Sequence, residues 1–201
     1  MSITMADTVA RCVPRACVLA VGLLGLQFGL AGGALAQGSY GGPYGFGTPA
    51  TAEEIAAWDI DAMPDGRGLP PGEGGYEAGK EVYTMQCLAC HGPDLGGVAG
   101  TGGAALIGGR GTLASGKPKK TVESYWPYAS TLFDFTKRAM PFHTPGSMTD
   151  DEVYAVTAYI LAEGNIIGKD EVMNAETLPK VVMPNADGFI PDPRPDIFNY
   201  D

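Results

Sequence analysis

Histidine, cysteine and basic charge are all scarce in this chain, and each shortage removes a class of function. Of 201 residues only two are histidine, His91 and His143, and four are cysteine. Cys12 and Cys17 precede or open an N-terminal apolar stretch, so Cys87 and Cys90 are the pair left in the rest of the chain. With no second pair there is no disulfide framework and no Cys/His zinc centre of the usual four-ligand kind. Lys and Arg number 13 against 23 Asp and Glu, a net charge of −10. Nucleic acid, which needs a basic footprint, is therefore excluded as a partner. The acidic balance fits a soluble exported protein, and it allows steering toward a basic partner. No catalytic triad, phosphate loop or pair of carboxylates stands in a convincing context, so the side chains are assigned no chemistry of their own.

What is present begins with a leader. Arg11 and Arg15 form a basic region, Ala16 to Ala36 is apolar, small and uncharged, and Ala34-Leu35-Ala36 is an A-x-A cleavage site. Residues 1–36 thus read as a secretory signal peptide, which places the protein in the periplasm. A retained membrane anchor is the disfavoured alternative, because Gly and Ala dilute the run. Residues 37–75 read as an extended N-terminal segment, 76–168 as one compact domain and 169–201 as a Pro-rich extension.

Cys87-Leu88-Ala89-Cys90-His91 carries the chemistry. Two cysteines separated by two residues and followed at once by histidine form the attachment signature of a c-type haem. On a helical turn, positions i and i+3 share a face, so both thiols reach one edge of the macrocycle and add to its vinyl groups. His91 then offers a neutral imidazole nitrogen to the iron. A thioredoxin-like CxxC would sit in a βαβ pattern, which is absent here. The expected cofactor is one covalently attached haem c.

The rest of the pattern is helical. Thr51-Ala-Glu-Glu54 fits a capping box ahead of a short helix, about Ala52 to Trp58. Met63 to Gly75 is dense in Pro and Gly and reads as a surface loop that wraps. Gly75 to Met85 reads as an amphipathic helix with Ala78, Val82 and Met85 on one stripe and Tyr83 beside it. Gly79 costs about 1 kcal/mol relative to Ala in mid-helix, and the close approach of another helix would explain it. Gly92 to Gly116 is loop. Thr121 to Met140 is helical in part, with Lys137-Arg138 near its end and Pro141 as a stop. Thr149-Asp-Asp-Glu152 is a second capping box. Val153, Val156, Tyr159 and Ile160 behind it give one apolar face, and Gly164 ends the helix. Leu178 to Asp201 reads as an extended tail lying over a surface. No convincing strand appears, so the fold class is all-α.

A sixth iron ligand decides between carrying electrons and binding small molecules, and Met or His is usual opposite histidine. The candidates are Met85, Met140, His143, Met148, Met173 and Met183. Met140 is favoured: it ends a helix, Pro141 fixes the backbone after it, and Phe142 can shield the iron. His143 is the next choice, whereas Met148, just before an N-cap, is expected to pack. Arg110, in Gly108-Gly109-Arg110-Gly111, together with Trp126 and Tyr128, are candidate donors to the haem propionates. Pro93 or a neighbouring carbonyl is expected to accept the free N–H of His91.

Cys87-Leu-Ala-Cys-His91-Gly92, Met140-Pro141 and Thr149-Asp-Asp-Glu152 together resemble a class I cytochrome c domain. Five flanking stretches resemble the cytochrome c subunit of bacterial sulfane and sulfite dehydrogenases. They are Thr48 to Asp61, Leu106 to Leu113, Tyr125-Trp-Pro-Tyr-Ala129 running on to Leu132, Arg138-Ala-Met-Pro-Phe142, and Leu178 to Asn185. The resemblance covers about Thr48 to Asp201. It implies a class I cytochrome c domain with long irregular N- and C-terminal extensions. It also implies haem attachment at Cys87 and Cys90, with His91 and Met140 as iron ligands. The implied partners are a molybdenum-cofactor dehydrogenase subunit that oxidises sulfite or sulfane sulfur and a downstream cytochrome c. Some sulfane dehydrogenase cytochromes carry two haem motifs and this chain has one, which leaves the choice of sulfur substrate open. Two alternatives stand beside this reading: a free diffusing electron shuttle, and a haem enzyme or gas sensor with an open sixth position.

Overall fold

The computed structural model describes residues 47–191. The leader, the Gly- and Tyr-rich segment up to Phe46 and the end of the Pro-rich tail lie outside the described residues. The described residues form five α-helices: α1 Ala52–Trp58, α2 Tyr76–Gln86, α3 Leu88–His91, α4 Ala129–Ala139 and α5 Asp150–Glu163. Among the described residues no helix is long and apolar enough to cross a membrane.

α5 is the axis of the domain. Every residue from Val153 to Ala162 is buried, so the helix is enclosed on all sides rather than along the single stripe its spacing suggests. A helix apolar all round belongs in the middle of a core. α2 crosses it at Gly79, where an added Cβ would overlap the Ala155 carbonyl and stand 2.8 Å from Cβ of Tyr159. The close approach expected of that glycine is thus its function. Tyr159 packs its ring 5.1 Å from Tyr83 and 5.2 Å from Tyr76 on α2. The buried face of α2 is Gly79, Val82 and Tyr83. The expected stripe is off by one step, because Ala78 is exposed and Met85 is 70% exposed. α4 closes the other side of α5, with Phe133 4.4 Å from Tyr154.

A short sheet corrects the expectation of no strand. β1 (Glu73–Gly75) pairs antiparallel with β2 (Val172–Asn174), Gly74 opposite Met173. Three residues including two glycines carry no alternation to detect. Their reason for pairing is tertiary: a Cβ at Gly74 would collide with the backbone of Ala155, so only glycine lets this strand lie against α5.

The Pro-rich segment was expected to lie over a surface, but its first part enters the core. Met173, Leu178 and Met183 are all 2% exposed or less. Each such side chain stabilises by about 1.5–3 kcal/mol relative to exposure, which decides in favour of burial despite the prolines. Met63 to Gly72 does wrap as expected. Tyr154 Oη donates to the Pro70 carbonyl at 2.9 Å, and the Glu73 N–H donates to Asp151 at 2.9 Å. Gly164 caps α5 but stays at φ −77°, and the left-handed position that turns the chain is Asn165 at φ 51°.

Candidate cofactor site

α2 ends at Cys87, which is also the N-cap of α3. Within that turn the Cys90 and His91 N–H groups both donate to the Cys87 carbonyl, at 3.1 and 2.9 Å. This fixes the three-residue offset that brings two thiols to one face. Both cysteines are free and half-buried. Burial, and then the neighbouring Cys90, push the Cys87 thiol up to about 11, so it is protonated at neutral pH. Among the described residues no three His, Cys, Asp or Glu side chains come together to hold a metal ion.

His91 is oriented from a distance. Its Nδ1 lies 2.7 Å from the Ala104 carbonyl, thirteen residues on. A carbonyl only accepts, so Nδ1 carries the proton and Nε2 keeps its lone pair for a metal. The acceptor is neither Pro93 nor a sequence neighbour, and it is supplied by the glycine loop doubling back. That loop is laced to the motif by Val98 N–H to Cys90 O at 2.9 Å and Gly97 N–H to His91 O at 2.8 Å. A Cβ at Gly103 would overlap the Cys90 carbonyl, so the fold-back requires glycine there. Tyr83 Oη donates to the Gly92 carbonyl at 2.6 Å and pins the residue after His91 to the core. Burial raises the Tyr83 hydroxyl far above its ordinary value, so it remains a donor.

Met140 is the C-cap of α4, in extended conformation, half-buried and packed against the core, with Pro141 buried behind it. An ion pair between Lys137 and Asp150 ties the end of α4 to the start of α5 and closes the loop that holds Met140. The competing methionines are placed otherwise. Met85 points to solvent, and Met148, Met173 and Met183 are buried in the core. His143 and Phe142 are exposed.

The residues fit a haem. Cys87, Leu88, Leu106, Ile107, Trp126 and Met140 come from four separate segments and rest on the core while staying half open. Each offers a partly open apolar surface of the kind a flat apolar ring can rest on. Two thiols, one imidazole nitrogen with a fixed tautomer and one thioether sulfur make up the donor set of a covalent, two-ligand haem.

The expected propionate donors are placed differently from one another. Arg110 is exposed but already engaged with the protein itself: Nε meets Glu123 at 2.6 Å, and Nη2 donates to the Gly164 carbonyl at 2.6 Å and the Asn165 carbonyl at 3.3 Å. It therefore ties the glycine loop to the end of α5. Arg110 also borders an open pocket of about 430 Å³ with Leu113, Ser124, Pro184 and Asn185, and none of the Cys, His or Met candidates lines it. Trp126 is half-buried, edge-on to Phe135 at 5.8 Å, and Tyr128 is an exposed N-cap of α4. Sequence reasoning missed the roles of Tyr83, Ala104 and Glu123. Ala104 acts through its backbone carbonyl and so has no side-chain signal, since any residue supplies a carbonyl.

Comparison with known proteins adds three findings. The family model described as Cytochrome c matches residues 76–162. A chain in the crystal structure of the sulfane dehydrogenase SoxCD from Paracoccus pantotrophus superposes with a TM-score of 0.69 at 41% identity, covering 75% of this chain and 73% of that one. A thiosulfate dehydrogenase from Stutzerimonas stutzeri (strain A1501) is 29% identical over 96 residues, 46% of this chain but only 29% of that protein.

Proposed function

The chain belongs to the class I c-type cytochromes, and from that premise we propose that it is a periplasmic electron-transfer subunit rather than an enzyme in its own right. It is an electron-transfer domain related to subunits of sulfur-oxidising dehydrogenases, with one covalently bound haem c. The finer reading is that it accepts electrons one at a time from a molybdenum-containing sulfite or sulfane dehydrogenase subunit and passes them to a downstream cytochrome. Its export rests on the leader at residues 1–36. The matched sulfane dehydrogenase chain supports the choice of partner.

Bound at this site, haem supplies a one-electron ferric–ferrous couple. The protein's own contributions are separable. Cys87 and Cys90 would hold the macrocycle covalently. The Ala104 carbonyl holds the His91 proton on Nδ1, which leaves Nε2 basic. Met140 is the candidate second ligand, and a thioether there raises the reduction potential. The observation that carries the reading is the His91–Ala104 contact: it gives the ring following the two cysteines a single ligating nitrogen.

Two measurements test this. The oxidised holoprotein should show the weak red-end absorption band of sulfur-ligated iron, and the reduced form should be unchanged by carbon monoxide. Met140→Ala should lose the band and gain a carbon monoxide shift. A carbon monoxide shift in the wild type would instead favour an open-site enzyme or sensor. Sulfite or a sulfane compound with the purified molybdenum subunit should reduce the holoprotein within milliseconds to seconds. No reduction by either substrate would remove the assigned partner.

A further inference from the structure

Among the described residues α1 is a helix with no buried face. None of its seven residues is buried, and seven residues fall well short of the roughly 12–15 at which even good isolated helices become stable in water. Its capping box satisfies N-terminal N–H groups but contributes no packing. Ile55 and Trp58, three residues apart on one face, are 54% and 85% exposed. Ile60 and Met63 continue the apolar surface, and both are exposed as well. A large exposed aromatic on an otherwise unsupported helix is costly to keep unless something covers it.

The surroundings say what kind of surface would do so. Between residues 47 and 66 there are five acidic residues and no basic one. Glu53, Glu54 and Asp59 flank Ile55 and Trp58 directly. Asp61 and Asp65 are engaged with Arg138 at 3.2 Å and Arg67 at 2.7 Å. The root of the arm is fixed, because the Ala62 N–H donates to Asp134 at 2.9 Å and Arg138 holds both Asp134 and Asp61. The helix is thus presented from α4 at a defined place, with an aromatic centre and an acidic rim. Protein interfaces share that layout: aromatic anchors carry affinity, and rim charges set orientation and on-rate.

We propose that α1 and the following Ile60 form a docking arm for the dehydrogenase subunit, seating Trp58 and Ile55 in an apolar groove rimmed by Lys and Arg. This rests on the partner assigned above and adds where that partner holds the chain. The arm belongs to a different element from the Cys87–His91 turn, the glycine loop and the Met140 loop. The partner can therefore grip the cytochrome without loading the segments that hold the iron ligands.

The test uses holocytochrome and the purified molybdenum subunit of the same organism, with binding followed by surface plasmon resonance. The double variant Ile55→Ser, Trp58→Ser should weaken Kd by on the order of thirty-fold or more, mainly through faster dissociation. Its haem spectrum and reduction by a small chemical reductant should be unchanged. Val182→Ser, which alters another exposed apolar residue, should stay within about threefold, the background for surface changes. Glu53→Lys with Asp59→Lys should slow association about tenfold at low salt and flatten its salt dependence. Wild-type affinity in the double variant, alongside a tight wild-type complex, overturns the arm and leaves the function standing. So does a wild-type dimer that the double variant dissolves, which would make a second copy the occupant. If the wild type neither binds nor is reduced, the assigned partner is wrong and the arm proposal fails with it.

Discussion

α1 and α5 begin alike and end with opposite surroundings. Each opens on a threonine whose side chain accepts from the N3 backbone while an N3 glutamate reaches back, Thr51 with Glu54 and Thr149 with Glu152. Each carries acidic residues in its first turn, complementing the helix dipole. Yet α5 is buried from Val153 to Ala162, and α1 has no buried residue. Capping therefore sets where a helix starts, and the distribution of apolar side chains sets whether the fold depends on it. α5 supplies the scaffold on which the cofactor site rests, whereas α1 is open to a partner.

The largest expected effect tests the buried helix at its tightest point. Gly79→Val places a branched side chain where the Ala155 carbonyl already lies. Overpacking of this kind costs about 3 kcal/mol and can prevent folding. Urea unfolding of the holoprotein measures it. The matched change on the exposed helix, Ala56→Val, should cost a few tenths of a kcal/mol at most, by helix propensity alone. Equal losses at the two sites would mean that α1 belongs to the cooperative core.

A sharper comparison removes the same group from both helices. Thr149→Ala loses a capping bond in the scaffold and should cost about 1 kcal/mol, lowering Tm by roughly 2–4 °C for a chain of this size. Thr51→Ala loses the same bond and should leave Tm unmoved, because α1 frays without unfolding the domain. A third change should act in the opposite direction. Thr157, at the centre of α5, buries a hydroxyl with no hydrogen-bond partner. Thr157→Val removes that unsatisfied group at constant shape and should stabilise by up to about 1 kcal/mol.

How much of this was legible in the sequence differs by kind of interaction. The two capping boxes, the CxxCH turn and the Pro141 stop are local patterns, and each is found where its spacing puts it. Gly79 was legible as a question, and the crossing with α5 answers it. The strand pair was not legible, because Glu73-Gly74-Gly75 has no pattern of its own and is held by Val172–Asn174 nearly a hundred residues away. The burial of Leu178 and Met183 was hidden by the prolines around them, which argued for an extended tail. At the site, the residue types were readable. The contact that fixes His91 was not, since it belongs to the backbone of Ala104 and depends on how the glycine loop folds back.

The smallest expected effect is the dependence on acid, and it again separates the two helices. At the end of α5, hydrogen bonds from Lys169 and then Tyr76 hold the Glu163 carboxyl below its ordinary value. A carboxyl depressed in the folded state stabilises fully above its unfolded value near 4.5, and that stabilisation is lost as pH falls through the folded value. The bridge is partly exposed, so its worth is a few tenths of a kcal/mol to about 1 kcal/mol. Tm measured from pH 7 to pH 3 should fall more for the wild type than for Glu163→Gln, with the two curves converging at the acid end. Glu54 in α1 is also held low, by the Thr51 N–H and hydroxyl. Its protonation should lower far-UV helix content without moving Tm, because the helix it caps buries none of its residues. If Glu54→Gln changed the acid limb of the Tm curve as Glu163→Gln does, α1 would be packed in the folded domain, and the contrast between the two helices would be lost.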